Sequence, residues 1–525
     1  MLTKAKKFIL IFPNPISEMP TGFAYLSSVL KEKGYEVKAI VNSFNNFLGW
    51  DDLAEATEVY QPTFVGFHLS TYRVPDVYKT IKRIKKPGLT VIAGGPHATS
   101  CPDEALDNGV DIVVRNEGEI TLSELCDFWS GARGLSLESI KGISFKDPKG
   151  CVVHNPSREY IANLNDLPKL DFSCFDQERF RTSMGLLKGF HRIYCSRGCP
   201  AGCTFCDRAI FGQKIRYHPV DEVIREIKHR KDAHNIKSFV IADDTFTFNK
   251  KYVRDFCQSL KDNKLDIAWC CSTRANIVDS EMLSTMKEAG CYMVSYGIES
   301  GDSETLKRIR KGITLGQAHK AVDCSAELGF RIYVNLMTGF PWEDELAVVN
   351  NIKYIKRHFD QVHIYQVSGA IVPYPGTIIY ETYKEQYGFK DWWLKEDYQN
   401  YGLQIHQNAD NPYKHSTFYQ RMLYDDTLIW EEVFFPYTRA YKKKVGTMAF
   451  LIGKRNLLST SPGRIKRTMI YALSKISRLV YEFNSDLEKT IIPKIISALH
   501  FKSRFHDRGP LGYLYRKKAK SNTTN

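Results

Sequence analysis

The sequence contains no uninterrupted apolar run near the roughly 20 residues that a membrane-spanning helix needs. Its longest runs, such as 8–12 and 448–452, are about a quarter of that. The lysines and short apolar run at the start lack the small-residue cleavage site of a signal peptide and read as a first β-strand. A disulfide framework is missing too. The 13 cysteines are odd in number and scattered over 525 residues, which fits reduced thiols in a cytoplasmic protein. Positive charge is scarce outside one region. Residues 437–525 carry 20 Lys and Arg against 4 Asp and Glu, a surplus of 16 that exceeds the chain's net +14 and leaves −2 for the rest. Charge-driven nucleic-acid binding by the whole protein is therefore not expected, and any anionic partner belongs to the tail.

What is present is a long α/β pattern. Apolar runs at 7–12, 35–41, 63–68, 90–93 and 111–114 alternate with helical stretches at 23–33, 76–86 and 119–129. Such alternation predicts a doubly wound, Rossmann-like parallel sheet over residues 1–135, with ligands at the carboxyl ends of the strands. The loops there are Leu69-Ser70-Thr71, Gly94-Gly95-Pro96-His97 and Arg115 to Glu119. Residues 136–185 read as a linker with a hairpin at 147–150. Between 186 and 405 the alternation resumes. Six strand candidates, at 193–195, 238–242, 268–272, 292–297, 331–337 and 361–369, predict a partial (β/α)6 TIM-type barrel. The remainder, 406–525, reads as a basic helical C-terminal segment.

Three cysteines stand out in the loop after the first barrel strand. Cys199, Cys203 and Cys206 are spaced C-x3-C-x2-C. Thiolates are the usual ligands of iron–sulfur clusters, and three ligands for four irons leave one iron open for a substrate. Zinc is the alternative, but structural zinc sites usually have a second ligand pair, and none follows. Cys195 falls within the predicted strand and reads as a bystander.

The stretch Ser196-Arg197-Gly198-Cys199-Pro200, with the three-cysteine spacing, resembles the radical S-adenosylmethionine (SAM) superfamily, and with the N-terminal domain it resembles that superfamily's cobalamin-binding branch. The resemblance implies a 4Fe–4S cluster on Cys199, Cys203 and Cys206, SAM, and cobalamin. It implies cofactor contacts for Asp243 and Asp244, for Arg274 as a carboxylate partner, for Glu299, and for Asn335 and Gly339 beside the adenine. In the N-terminal domain it implies cobalamin contacts at Ser70, Thr71, Gly94, Gly95, His97, Glu117 and Glu119. The D-x-H-x-x-G signature that supplies a histidine to cobalt elsewhere is absent, and His68 and His97 read as loop hydrogen-bonders.

The chemistry implied is formation of a 5′-deoxyadenosyl radical and methylation of an unactivated carbon of a small-molecule or lipid-like substrate. A reductase, flavodoxin or ferredoxin would be the electron donor. Ring closure, as in the anaerobic cyclase of chlorophyll synthesis, is the alternative within the branch. Sulfur insertion into transfer RNA would need further cluster cysteines, and Cys101, Cys126 and Cys151 lack that spacing. A non-catalytic cobalamin sensor is the alternative of another class. In the tail, Ile465, Met469, Leu473, Ile476, Val480 and Phe483 recur at helical spacing beside Lys466, Arg467, Lys475 and Arg478. That pattern suits either peripheral contact with an anionic membrane or packing on the barrel.

Overall fold

Residues Phe8 to Ile11 are each at most 2% exposed. A strand buried on both faces must lie inside a sheet covered by helices on both sides. In the computed structural model this is β1 (Lys7–Ile16). The structure describes residues 6–16, 19–43, 49–71, 74–132, 134–176, 190–234, 236 and 238–394, with a few positions between 444 and 455. The predicted amphipathic helix at 465–483, and almost all of the basic segment 406–525, lie outside the described residues. Among the described residues no helix is long and apolar enough to cross a membrane.

The chain divides into two compact units. The first begins with β1, α1 (Thr21–Glu32), β2 (Glu36–Ser43), α2 (Trp50–Tyr60), β3 (Phe64–His68) and α3 (Val74–Ile84). It continues through β4 (Thr90–Gly94), α4 (Pro96–Ser100), α5 (Pro102–Asp107), β5 (Ile112–Val114) and α6 (Glu119–Trp129), and then the hairpin β6 (Ile143–Lys146) and β7 (Val152–His154). The sheet order is β2-β1-β3-β4-β5-β6-β7. The first five strands are mutually parallel, and β6 and β7 are antiparallel additions. This is the expected doubly wound domain, in the 2-1-3-4-5 order. Its topological switch point lies between β1 and β3, where such sheets open a ligand crevice.

The stretch 136–176, read from sequence as a linker, joins this sheet and its core. Ile143 and Phe145 are buried, and Cys174 and Phe175 return to the same apolar cluster as Phe8 and Leu10. Asp171 fixes the returning chain by accepting from Ser27 Oγ at 2.6 Å and pairing with Lys31 Nζ at 2.8 Å. Burial of these apolar groups outweighs the loop-like composition around them.

Six further strands of the βα type follow, two in the first unit and four in the second. β8 (Phe190–Ile193), the short antiparallel ribbon β9 (Ser196–Arg197) and β10 (Arg216–Tyr217), α7 (Val220–His234) and β11 (Ser238–Ile241) lie in the first unit. There β8 and β11 pair in parallel. Cys195 falls beyond β8 and not within it, fully buried, because its backbone N–H donates to Asp243.

The second unit carries α8 (Lys250–Asp262), β12 (Ala268–Thr273), α9 (Ser280–Glu288), β13 (Cys291–Glu299), α10 (Ser303–Arg308), α11 (Leu315–Glu327), β14 (Arg331–Thr338), α12 (Glu345–Arg357) and β15 (Ile364–Ala370). Its strands pair in parallel in the order β12-β13-β14-β15. The helices start on side-chain caps. Asn249, Asp279, Asp302, Thr314 and Asp344 each accept a backbone N–H of the helix they precede. Such punctuation explains why the alternation was readable here.

Candidate active site

A cavity of about 620 Å³ opens in the first unit at the switch point. Its apolar walls include Leu10 and Phe12 of β1, Gly66 and His68 of β3, Leu26 of α1 and Leu122 of α6. Gly22, in the first turn of α1, also faces it, and a Cβ there would meet no atom within 4 Å. Gly95 has φ of +102°, and a Cβ there would lie 2.8 Å from the Leu69 carbonyl, so the turn admits glycine alone.

His68 lies on a strand and not in the loop that the sequence suggested. It ends β3, stacks on Phe12 with ring centroids 4.1 Å apart, and leaves Nδ1 buried without a hydrogen-bond partner among the described residues. Burial pushes its imidazole down to about 4, so the ring is neutral near pH 7. His97 is a hydrogen-bonder, engaged at both ring nitrogens: Nδ1 with Thr71 Oγ1 at 3.1 Å and Nε2 with Glu104 at 3.0 Å. Ser70, Thr71 and Asp244 line a second cavity of about 400 Å³ with Asp207 and Tyr374.

Three buried ionic groups, Glu117, Glu119 and Arg197, stand at the wall of the larger cavity, and Arg216 joins them from behind it. Arg197 donates Nη1 to Glu117 at 2.8 Å and Nη2 to Glu119 at 2.7 Å. Arg216, its partner across the β9–β10 ribbon, donates to Glu117 Oε2 at 2.8 Å. The Ile161 N–H donates to the same oxygen. The Arg197 guanidinium lies between the rings of Tyr25 and Phe211, 5.0 Å from each. Both oxygens of Glu117 are thus spoken for by the protein, a role the sequence reading did not foresee.

The cysteine loop begins two residues after Arg197. Gly198 has φ of +90°, and a side chain there would strike the Lys214 carbonyl. Cys199 is half-buried, Cys203 buried and Cys206 exposed, and none of the three is in a disulfide. Asp243 accepts from Cys195 N at 2.8 Å and Ser196 Oγ at 2.6 Å. Burial raises it to about 7. In the second unit, Arg274 Nη1 stands 3.6 Å from Cys203 Sγ, and Nη2 donates to the Lys311 carbonyl. Glu299, at φ of +69°, pairs with Lys311 Nζ at 2.9 Å. A Cβ on Gly297 would lie 2.7 Å from Glu299 Oε1 and 2.9 Å from Lys311 Nζ, so glycine lets this pair lie against β13. Asn335 donates to Ser295 Oγ at 3.1 Å, and the Gly339 N–H donates to Glu343 at 2.7 Å.

Comparison with known proteins decides the family. The radical SAM superfamily model matches residues 193–355, and the B12 binding domain model matches residues 17–126. An uncharacterized methyltransferase of Pyrococcus horikoshii is 33% identical over 392 residues, covering 72% of this chain and 83% of that protein. The chain belongs to the cobalamin-binding branch of the radical SAM superfamily. A second relative, the cytidylyl-2-hydroxyethylphosphonate methyltransferase of Streptomyces wedmorensis, is 26% identical over 375 residues, covering 62% and 70% of the two chains. Among solved structures, the radical SAM methyltransferase TsrM of Kitasatospora setae, with cobalamin and a 4Fe–4S cluster bound, has the same fold. Its TM-score is 0.60 at 17% identity, over 73% of this chain and 75% of that one.

This radical SAM protein is therefore an enzyme that uses a 4Fe–4S cluster, SAM and cobalamin. Its own residues fit those groups. Three thiols in one loop, none in a disulfide, are the donor set a cluster takes, and the Arg274 cation beside Cys203 suits a thiolate. The larger cavity has apolar walls, an open position at Gly22, and two buried acceptor-capable atoms without partners among the described residues, His68 Nδ1 and Glu119 Oε2. A large cofactor with amide and hydroxyl groups suits that lining. The sequence reading missed Lys311, Arg197, Arg216 and Phe211. Arg197 was visible inside Ser-Arg-Gly-Cys, but its acidic partners lie 78 and 80 residues away.

Proposed function

We propose that this radical SAM enzyme methylates an unactivated carbon of a small-molecule or lipid-like substrate. One observation carries the reading. The arginine that opens the cluster loop is also a wall of the cavity that suits cobalamin, so the first unit joins the two cofactor regions. When bound, the cluster and SAM supply a carbon-centred oxidant, and cobalamin supplies the methyl group.

The chain's own residues perform the remaining tasks. Cys199, Cys203 and Cys206 hold the cluster, and Arg274 sets a positive charge beside Cys203. The Glu299–Lys311 pair and Asn335 offer charge and amide contacts at strand ends for SAM. The apolar walls around Leu10, Phe12 and Leu122 exclude water from the cofactor. A flavodoxin, ferredoxin or reductase delivers the electron.

The test uses full-length reconstituted protein, deuteriomethyl-SAM, a flavodoxin system, and polar and apolar extracts as substrate pools. The expected result is a product three deuteriums heavier in one pool, absent with Cys203→Ala. A product that changes mass without gaining the label would contradict methylation and favour ring closure.

A further inference from the structure

Glu119 has two oxygens with different surroundings. Oε1 accepts from Arg197 Nη2 at 2.7 Å. Oε2 is buried and has no hydrogen-bond partner among the described residues, although Glu119 lines the larger cavity and is 6% exposed. A buried carboxylate oxygen left unmatched is costly. Its site makes sense when something in the cavity donates to it.

The other end of this contact is as well defined. Arg197 is 7% exposed, held by Glu117 and Glu119 and packed between Tyr25 and Phe211. Gly198 and Cys199 follow it directly, and the Cys199 N–H donates to the Gly212 carbonyl at 3.2 Å. One glycine therefore separates the anchored Arg197 from a cluster ligand.

We propose that Glu119 and Arg197 form a joint through which occupancy of the cavity by cobalamin holds the cluster loop in place. Glu119 Oε2 accepts an N–H or O–H of the cofactor, and Oε1 fixes Arg197. The inference rests on the reading of the cavity as the cobalamin site, and goes beyond it by coupling that site to the cluster. Glu119 and Arg197 are positioning residues, because neither touches the reacting atoms. Coupling of this kind is reciprocal: cobalamin must steady the cluster by the factor with which the cluster tightens cobalamin.

The experiment follows iron release from the reconstituted full-length enzyme to a ferrous chelator, anaerobically, with and without methylcobalamin in the dark. Bound cofactor is checked by co-elution of its absorbance. Methylcobalamin should slow release at least fivefold in the wild type. The slowing should fall below twofold in Glu119→Gln and in Arg197→Lys. Slowing that persists in a variant that still binds methylcobalamin would mean direct shielding and overturn the joint. A measurement on the wild type alone covers the case where both variants lose the cofactor. Methylcobalamin should bind at least fivefold tighter to protein with its cluster than without, and equal affinity overturns the proposal. If the wild type binds no methylcobalamin, the reading of the cavity itself fails, a result distinct from equal affinity.

Discussion

Arg197, Arg216, Glu117 and Glu119 balance as two positive and two negative charges, all buried. Removing Glu117 leaves Arg216 buried and charged without its carboxylate, which costs about 3–5 kcal/mol in such settings. Glu117→Ala should therefore destabilise the first unit by about that amount, read as a fall in the urea midpoint, while Glu117→Gln loses less because it still accepts. His68 gives a pH signature. Its imidazole titrates near 6.5 when exposed and about 4 when folded, because burial penalises the cation. The unfolded chain thus binds a proton that the folded one refuses. The stability contributed by the neutral ring is complete above pH 6.5 and is lost as the pH falls toward 4. His68→Phe keeps a ring on Phe12, and its Tm advantage over the wild type should grow from pH 7 to pH 5. An advantage that does not change with pH would contradict the assignment.

Among elements, the first turn of α1 offers the sharpest test of what the cavity is for. A Cβ on Gly22 would meet no atom of the described residues within 4 Å. A glycine in a helix costs roughly 1 kcal/mol against better helix formers, so it needs a reason to be there. Gly22→Leu should keep or raise Tm, and should weaken cobalamin binding at least tenfold in an absorbance titration. An unchanged affinity would place the cofactor elsewhere. Elements were also where the sequence was most legible. The parallel strands read clearly because they are short apolar runs set between helical stretches. The hairpin β6–β7 was seen as a hairpin but not as sheet, because a short antiparallel pair carries no mark of what it will join. The cluster thiols were legible because their spacing is local. The pairing of Arg197 with Glu117, or of Trp393 Nε1 with Glu104 across 289 residues, is written in no window of sequence.

For the whole molecule, the order of motifs along the chain did more than any single residue. Asp243, Arg274, Glu299 and Asn335 are each unremarkable alone, yet each lies in or just past a strand of one repeating pattern. The structure adds that several of them are already engaged by the protein: Asp243 by Cys195 and Ser196, Glu299 by Lys311, and Arg274 by the Lys311 carbonyl. The substrate is not written there, since the described cavities fit cofactors first. The most direct test counts products from SAM. The full-length reconstituted enzyme, with cobalamin and a reductant under anaerobic conditions, should form 5′-deoxyadenosine and S-adenosylhomocysteine together, one of each per methylated product. Cys203→Ala should form no 5′-deoxyadenosine. A wild type that makes no more 5′-deoxyadenosine than Cys203→Ala would contradict the account at its root.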